Sequence, residues 1–509
     1  MNSLRKFLSL VIVLALGLAS ASAFAQDAAT QSLRQRPPTP SPARPLRLPA
    51  ARESRLDNGL TLLLIEDHRA PLVTLAAGVA QKIRWRNRIA EMTSEMTLVE
   101  ATADLLTEGA GEPFARAVES LGAQVDSHAG ADYAILTGVV IAENAERLLP
   151  LFAEALARPR FLADEVTLYK NSRIDKLDVE RQEPDFLARE NFNRLVYGAH
   201  PYAFSAPTPA AVRALSRPRI EQFYKAAYSP ADTVVIIVGD FDAARMQVVA
   251  QATLGRWHIA GQAARRAPRP LGALQARQPV KVIAATKPAA ARRIYLIDRP
   301  GSAQANFRIG NLAVGRGDKD YYALEVANAI LGDGTGSRLF QNIREQQGFA
   351  YDVASALSAM KTGGAFFGFA QSRTEVTAAA IRAMLAEFER LRNAEVSAED
   401  LENAKHYLEG LFSLSLATQN GIADELMTMK LIGLGKDYLN DYRARIEAVT
   451  AADVQRVARR YVRTDDATVV VVGDAARLRQ ELAALGAVVM VNAKSATRRH
   501  RDAATRRRP

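Results

Sequence analysis

The segment RIEQFYKAAYSPADTVVIIVGDF, Arg219 to Phe241, is answered 234 residues later by DVQRVARRYVRTDDATVVVVGDA, Asp453 to Ala475. Each runs from an amphipathic helix through a tyrosine into a β-branched run that stops at Gly-Asp. A second pair of landmarks, FLADEVTLYKNSRIDKL from Phe161 and VSAEDLENAKHYLEGLF from Val396, is displaced by 235 residues. Two independent offsets that agree this closely define a tandem repeat of about 230 residues, too long for a solenoid unit and suited to a domain. The 509 residues therefore read as two related domains, 51–259 and 282–493.

The segments outside the repeats carry their own signals. Arg5 and Lys6, the apolar run FLSLVIVLALGLA and the small residues around Ala23-Phe24-Ala25 read as a secretory signal over residues 1–25. Its apolar run is too short to span a membrane. An exported chain is expected, which in a bacterium means the periplasm. Zero cysteines exclude disulfides, thiolate zinc sites and a cysteine nucleophile.

The net charge of +11 invites a nucleic-acid reading, but its distribution removes that reading. The signal carries +2, residues 26–50 carry +3 and the tail 494–509 carries +6, so the body between is neutral. Residues 26–50 read as a Pro-rich leader, because residues 31–50 hold six of the 22 prolines and build no core. The arginine-rich tail reads as a solvated, disordered end. Its alternative is electrostatic contact with an anionic membrane surface or an acidic partner. Residues 260–281, rich in Pro, Gly, Ala and Arg without periodicity, read as the interdomain linker.

Within the first repeat, Leu60 to Ile65, Leu72 to Val79, Gln124 to Ser127, Tyr133 to Ile141 and Thr233 to Val238 are β-type runs. Helices are expected over 95–108, 113–121, 144–157, 163–182, 186–197 and 217–226. The second repeat follows the same order, with strands near 293–298, 305–314, 351–359, 363–371 and 468–472. Its helices are expected over 319–331 and 337–347, then onward to about 461. Strands adjacent in sequence with short links favour antiparallel pairing, and the helices grouped after them favour α+β layers. The fold class expected is α+β, with two homologous domains, each an antiparallel-type sheet packed with helices.

Three segments now carry a resemblance: LDNGLTLLLIEDHRAPLVTLAAGV from Leu56, EGAGEPFARAVESLGAQVDSHAGADYAILTG from Glu108 and ILGDGTGSRLFQNIREQQGFAYDV from Ile330. Together they resemble the pitrilysin/insulinase superfamily of zinc peptidases, in particular its short two-domain, processing-peptidase-like members, over residues 52–490. The resemblance implies that two such domains form half of a clam-shell. In active members the helix before the EGA segment bears His-x-x-Glu-His. Two imidazoles four residues apart hold zinc, and the glutamate between them is the base for the metal-bound water. Counting back from Gly109 puts that motif on Glu100, Ala103 and Asp104. Both histidines and the base are absent. None of the six histidines (68, 128, 200, 258, 406 and 500) rebuilds the pair. Asp178 and Glu180 lie on the helix expected to supply a third ligand. Glu100 and Asp104, at i and i+4, share a helix face on which carboxylates can hold a hard cation, but with no imidazole and no base beside them they read as an acidic stripe facing solvent or a partner. No metal and no catalytic residue is expected in this chain.

The resemblance also implies an Arg and a Tyr seven residues apart in the second domain, which Arg344 and Tyr351 match. A guanidinium grips substrate carbonyls, and a phenol donates to the oxyanion formed as water attacks a peptide. Read without the family, the same residues are an arginine balancing a helix C-terminus and a half-buried strand tyrosine. GDGTGS, Gly332 to Ser337, lacks the Lys-Ser/Thr of a phosphate loop and does not follow a strand, so it reads as a flexible connection. His128 reads as structural or surface.

The expected function is that of a metal-free subunit. Arg344 and Tyr351 would be its substrate-binding residues, and zinc would sit in a homologous partner that cleaves peptides or unfolded polypeptide. The alternative is a non-hydrolytic peptide-binding or scaffold protein of the same fold.

Overall fold

The computed structural model describes residues 49–81, 88–258 and 292–491. The signal, most of the leader, the linker and the basic tail lie outside the described residues.

The first repeat contains β1 (Ala51–Arg55), β2 (Thr61–Glu66), β3 (Leu72–Ala80), β4 (Gln124–Ala129), β5 (Tyr133–Ile141) and β6 (Thr233–Gly239). Its helices are α1 (Ile89–Asp104), α2 (Glu112–Glu119), α3 (Ala145–Ala157), α4 (Ala163–Glu180), α5 (Pro184–Tyr197), α6 (Pro209–Arg213), α7 (Arg217–Ala227) and α8 (Ala243–Thr253). The second contains β7 (Arg293–Asp298), β8 (Gln304–Ala313), β9 (Ala350–Ala359), β10 (Gly364–Arg373), β11 (Thr468–Gly473) and β12 (Ala487–Val491). Helix α9 (Tyr321–Leu331) leads to a π-helical turn, Phe340–Gln346. Then come α10 (Thr377–Asn393), α11 (Ala398–Ser415), α12 (Gln419–Ile432), α13 (Tyr438–Glu447), α14 (Ala451–Tyr461) and α15 (Ala475–Ala483).

The six-stranded sheets run β1-β2-β6-β3-β5-β4 and β12-β7-β11-β8-β10-β9. Five strands correspond one to one; the sixth comes from the N-terminal side in one repeat and the C-terminal side in the other. The sheets are mixed rather than wholly antiparallel, since β2 pairs parallel with β6, and β7 pairs parallel with both β11 and β12. The sequence reading missed this because parallel pairing of distant strands leaves no local turn signal. The runs TVVIIVG and TVVVVG become inner strands, and their apolar side chains are buried on both faces. Toward the edge, β5 alternates buried and half-buried residues.

The repeats exchange a helix. Helix α5 packs on β8 and β11 of the second sheet, while α12, 235 residues later, packs on β3 and β6 of the first. Phe192 of α5 meets Phe367 with ring centres 5.3 Å apart in a core that draws on both repeats. Polar contacts repeat the exchange: Arg308 donates to Asp185 at 2.8 Å, and Thr74 donates to Asn420 at the matching positions. A further tie joins the Tyr202 hydroxyl to Asp132 at 2.9 Å and to Thr362 at 3.0 Å. Each repeat thus covers the other's sheet, which fixes their mutual position through burial as well as through pairing.

Among the described residues no helix is long and apolar enough to cross a membrane.

Candidate functional site

Helix α1 begins at Ile89, six residues before the sequence expectation. In its first two turns the Thr93 hydroxyl donates to the Ile89 carbonyl at 2.8 Å and the Thr97 hydroxyl to the Thr93 carbonyl at 2.7 Å, so both polar groups are satisfied within the helix. This helix carries Glu100, Ala103 and Asp104 against edge strand β4, whose Ser127 hydroxyl donates to the Ala103 carbonyl at 2.6 Å.

Opposite α1, helix α4 presents Tyr169, Arg173 and Glu180, spaced four and seven residues apart and therefore on one face. The Arg173 Nε donates to Glu100 Oε1 at 2.6 Å, and its Nη1 lies 3.2 Å from Glu180 Oε2. The Tyr169 hydroxyl donates to Asp104 Oδ2 at 2.9 Å. Asp178 is exposed. Burial raises the Asp104 carboxyl to about 7, with Tyr169 acting against that shift. Burial also raises Glu100, although Arg173 pulls the other way. For Arg173, burial works against the charge, but Glu100 and Glu180 more than offset it and hold the guanidinium firmly protonated. The acidic stripe expected to face solvent or a partner is instead half-buried, and it is paired within the chain.

These residues do not fit zinc. No imidazole or thiolate stands among them, Ala103 supplies no base, and a guanidinium already holds two of the carboxylates. Among the described residues no group of three or more His, Cys, Asp or Glu is placed to hold a metal ion. His128 is exposed on β4, while His68 pairs with Asp240 at 2.6 Å on the surface. Sequence reasoning passed over Tyr169 and Arg173. The signal available was a cation one helical face away from Glu180, but its partner Glu100 is 73 residues distant.

The second cluster gathers around Arg344 and Tyr351. The helix expected over 337–347 is present, but from Phe340 to Gln346 it is wound as a π-helix, and Arg344 sits within that stretch. The guanidinium lies between two rings, 4.6 Å from the centre of Phe340 and 4.5 Å from the centre of Tyr351, and pairs with Glu345 at 3.4 Å. Tyr351 is the second residue of β9 and is 79% exposed, which removes the half-buried alternative. Its position is a β-bulge: Ala350 pairs with Ser372 and Asp352 with Gln371, so Tyr351 has no partner in the ladder. A bulge turns one side chain away from the regular alternation, and here it brings the phenol over Arg344.

The glycine-rich connection precedes this turn and is anchored at both ends. A Cβ at Gly332 would meet the Ser355 nitrogen at 2.3 Å, and the Ser355 amide donates to the Gly332 carbonyl at 3.0 Å. Arg338 pairs with Asp400 at 2.7 Å. Among the described residues no hydrogen bond or ion pair links the Arg344–Tyr351 cluster to the Glu100–Arg173 cluster.

Residues 214–408 match the family described as the peptidase M16 inactive domain. The chain is similar to an uncharacterised zinc protease of Streptomyces coelicolor, 25% identical over 346 residues, which cover 67% of this chain and 72% of that protein. An uncharacterised zinc protease of Mycobacterium tuberculosis is 24% identical over 425 residues, covering 83% and 93%. A solved peptidase M16 inactive domain from Pseudomonas fluorescens has the same fold, with a TM-score of 0.71 at 24% identity over 83% of this chain and 98% of that one.

Proposed function

Because this chain belongs to the pitrilysin/insulinase (M16) superfamily as a member without the zinc motif, we propose that it is the metal-free, peptide-binding subunit of a two-chain peptidase. The observation that carries the reading is the exposed Tyr351 held against Arg344 at the start of an edge strand. A group that served packing alone would be covered. A phenol at a bulge, backed by a guanidinium, is placed to meet something outside the chain.

In this reading a homologous partner binds zinc and activates water. Arg344 grips a carbonyl of the bound peptide, and the Tyr351 hydroxyl donates to the oxyanion of the tetrahedral intermediate. The edge strands β4 and β9 are each hydrogen-bonded on one side only, which suits them to pairing with an extended substrate. The basic start and apolar run of residues 1–25 support export, and we place the assembly in the periplasm.

A non-hydrolytic peptide-binding or scaffold role is the second reading. The paired Glu100–Arg173–Glu180 cluster is compatible with it as well as with the first reading, since both leave this chain without a metal. Peptide hydrolysis by the mature chain, alone and mixed with a homologue bearing His-x-x-Glu-His, separates the two. Activity that requires the mixture supports the subunit reading. A stable but inactive complex supports the scaffold, and zinc-dependent activity of the chain alone overturns both.

A further inference from the structure

The carboxylates of Glu100 and Glu180 come from two different helices and converge on one cation, Arg173. Two separate nitrogens are engaged, Nε by Glu100 and Nη1 by Glu180, and the Arg173 side chain is only 12% exposed. Glu100 occupies the first position of the lost metal motif, and Glu180 lies on the helix expected to give the third ligand. The bridge therefore spans the same two helices that a metal ion would join. A guanidinium suits this place because its planar donors reach both carboxylates at once.

We propose that Arg173 is the resident cation of this degenerate site, standing in for the divalent ion and joining α1 to α4 without a metal. The chain then has a wall that is complete as translated and indifferent to chelation. Removal of the guanidinium would leave Glu100 and Glu180 uncompensated beside Asp104, in a partly buried place where unpaired charge is destabilising. The inference concerns the chain alone and holds whether or not a partner subunit exists.

The test measures metal content and melting temperature on the purified mature chain. Wild type is expected to carry less than roughly 0.1 zinc per chain, with a melting temperature unmoved by EDTA or by added zinc, manganese or calcium salts. Arg173→Met is expected to melt roughly 5–15 °C lower. A triple variant, Arg173→Met with Glu100→Gln and Glu180→Gln, should recover stability, because it removes the carboxylates that the guanidinium compensates.

Stoichiometric zinc in wild type with Arg173 in place would overturn the proposal. So would Arg173→Met melting like wild type. A melting loss that the triple variant does not relieve would assign Arg173 to packing and overturn it too. Should Arg173→Met fail to fold, the triple variant decides: recovery supports the proposal and failure rejects it.

Discussion

The guanidinium of Arg344 lies 4.5 Å from the ring centre of Tyr351, and the two residues reach this contact from opposite sides of a tight reversal. Arg344 leaves a π-helical turn, Gly348 reverses the chain with φ of 61°, and Tyr351 enters β9 as a bulge residue. The stacked arrangement fixes the ring without burying it. Tyr351→Ala should therefore leave the melting temperature within about 1 °C of wild type, since exposed substitutions change stability little. Its affinity for an extended peptide, followed by fluorescence anisotropy, should fall roughly tenfold. Equal affinities would remove Tyr351 from the binding surface.

Gly78 measures the helix exchange. A Cβ there would approach the Met427 sulfur to 2.3 Å and Leu431 Cδ1 to 2.6 Å, both on α12 of the other repeat. Both neighbours are side chains with some freedom to move, so Gly78→Ala is expected to destabilise by about 1–3 kcal/mol rather than to abolish folding. Urea denaturation checks this. An unchanged midpoint would mean that α12 is not held tightly against β3.

How much of this was legible beforehand depended on range. The repeat, the α+β class and most strands announce themselves through local pattern and fixed offset. Strand β7 falls on residues 293–298, where the apolar stretch Ile294 to Ile297 places it. Strands β1 and β12 were invisible because ARESR is polar and AVVMV is brief; each is defined by the neighbour it pairs with. At the site, the seven-residue spacing of Arg344 and Tyr351 could be read, but the bulge could not, since register belongs to the strand pair. Arg173 shows the same limit: its role is set by Glu100, a residue distant in sequence and on another helix.

His200 gives a pH signature. Its Nδ1 accepts the Tyr202 backbone amide at 3.1 Å, which requires the neutral ring, and burial lowers its pKa to about 4. In the unfolded chain the same group titrates near 6.5. The unfolded state thus binds the extra proton between those values, and stability declines as pH falls from about 6.5 toward 4. The full decline attributable to this group is about 3 kcal/mol, and none of it is felt above neutrality. His200→Asn keeps an acceptor for Tyr202 and should flatten that portion of the curve. A curve of unchanged slope would assign the acid sensitivity to other groups.

The most direct measurement on the central claim is kcat/KM for peptide cleavage by the reconstituted two-chain complex, comparing wild type with Arg344→Ala and Tyr351→Phe. The account predicts a loss of about 10²–10³-fold for each substitution, the scale on which a single transition-state donor contributes, with complex formation and metal content unchanged. Undiminished kcat/KM in both variants would contradict it and leave this chain without a part in the chemistry.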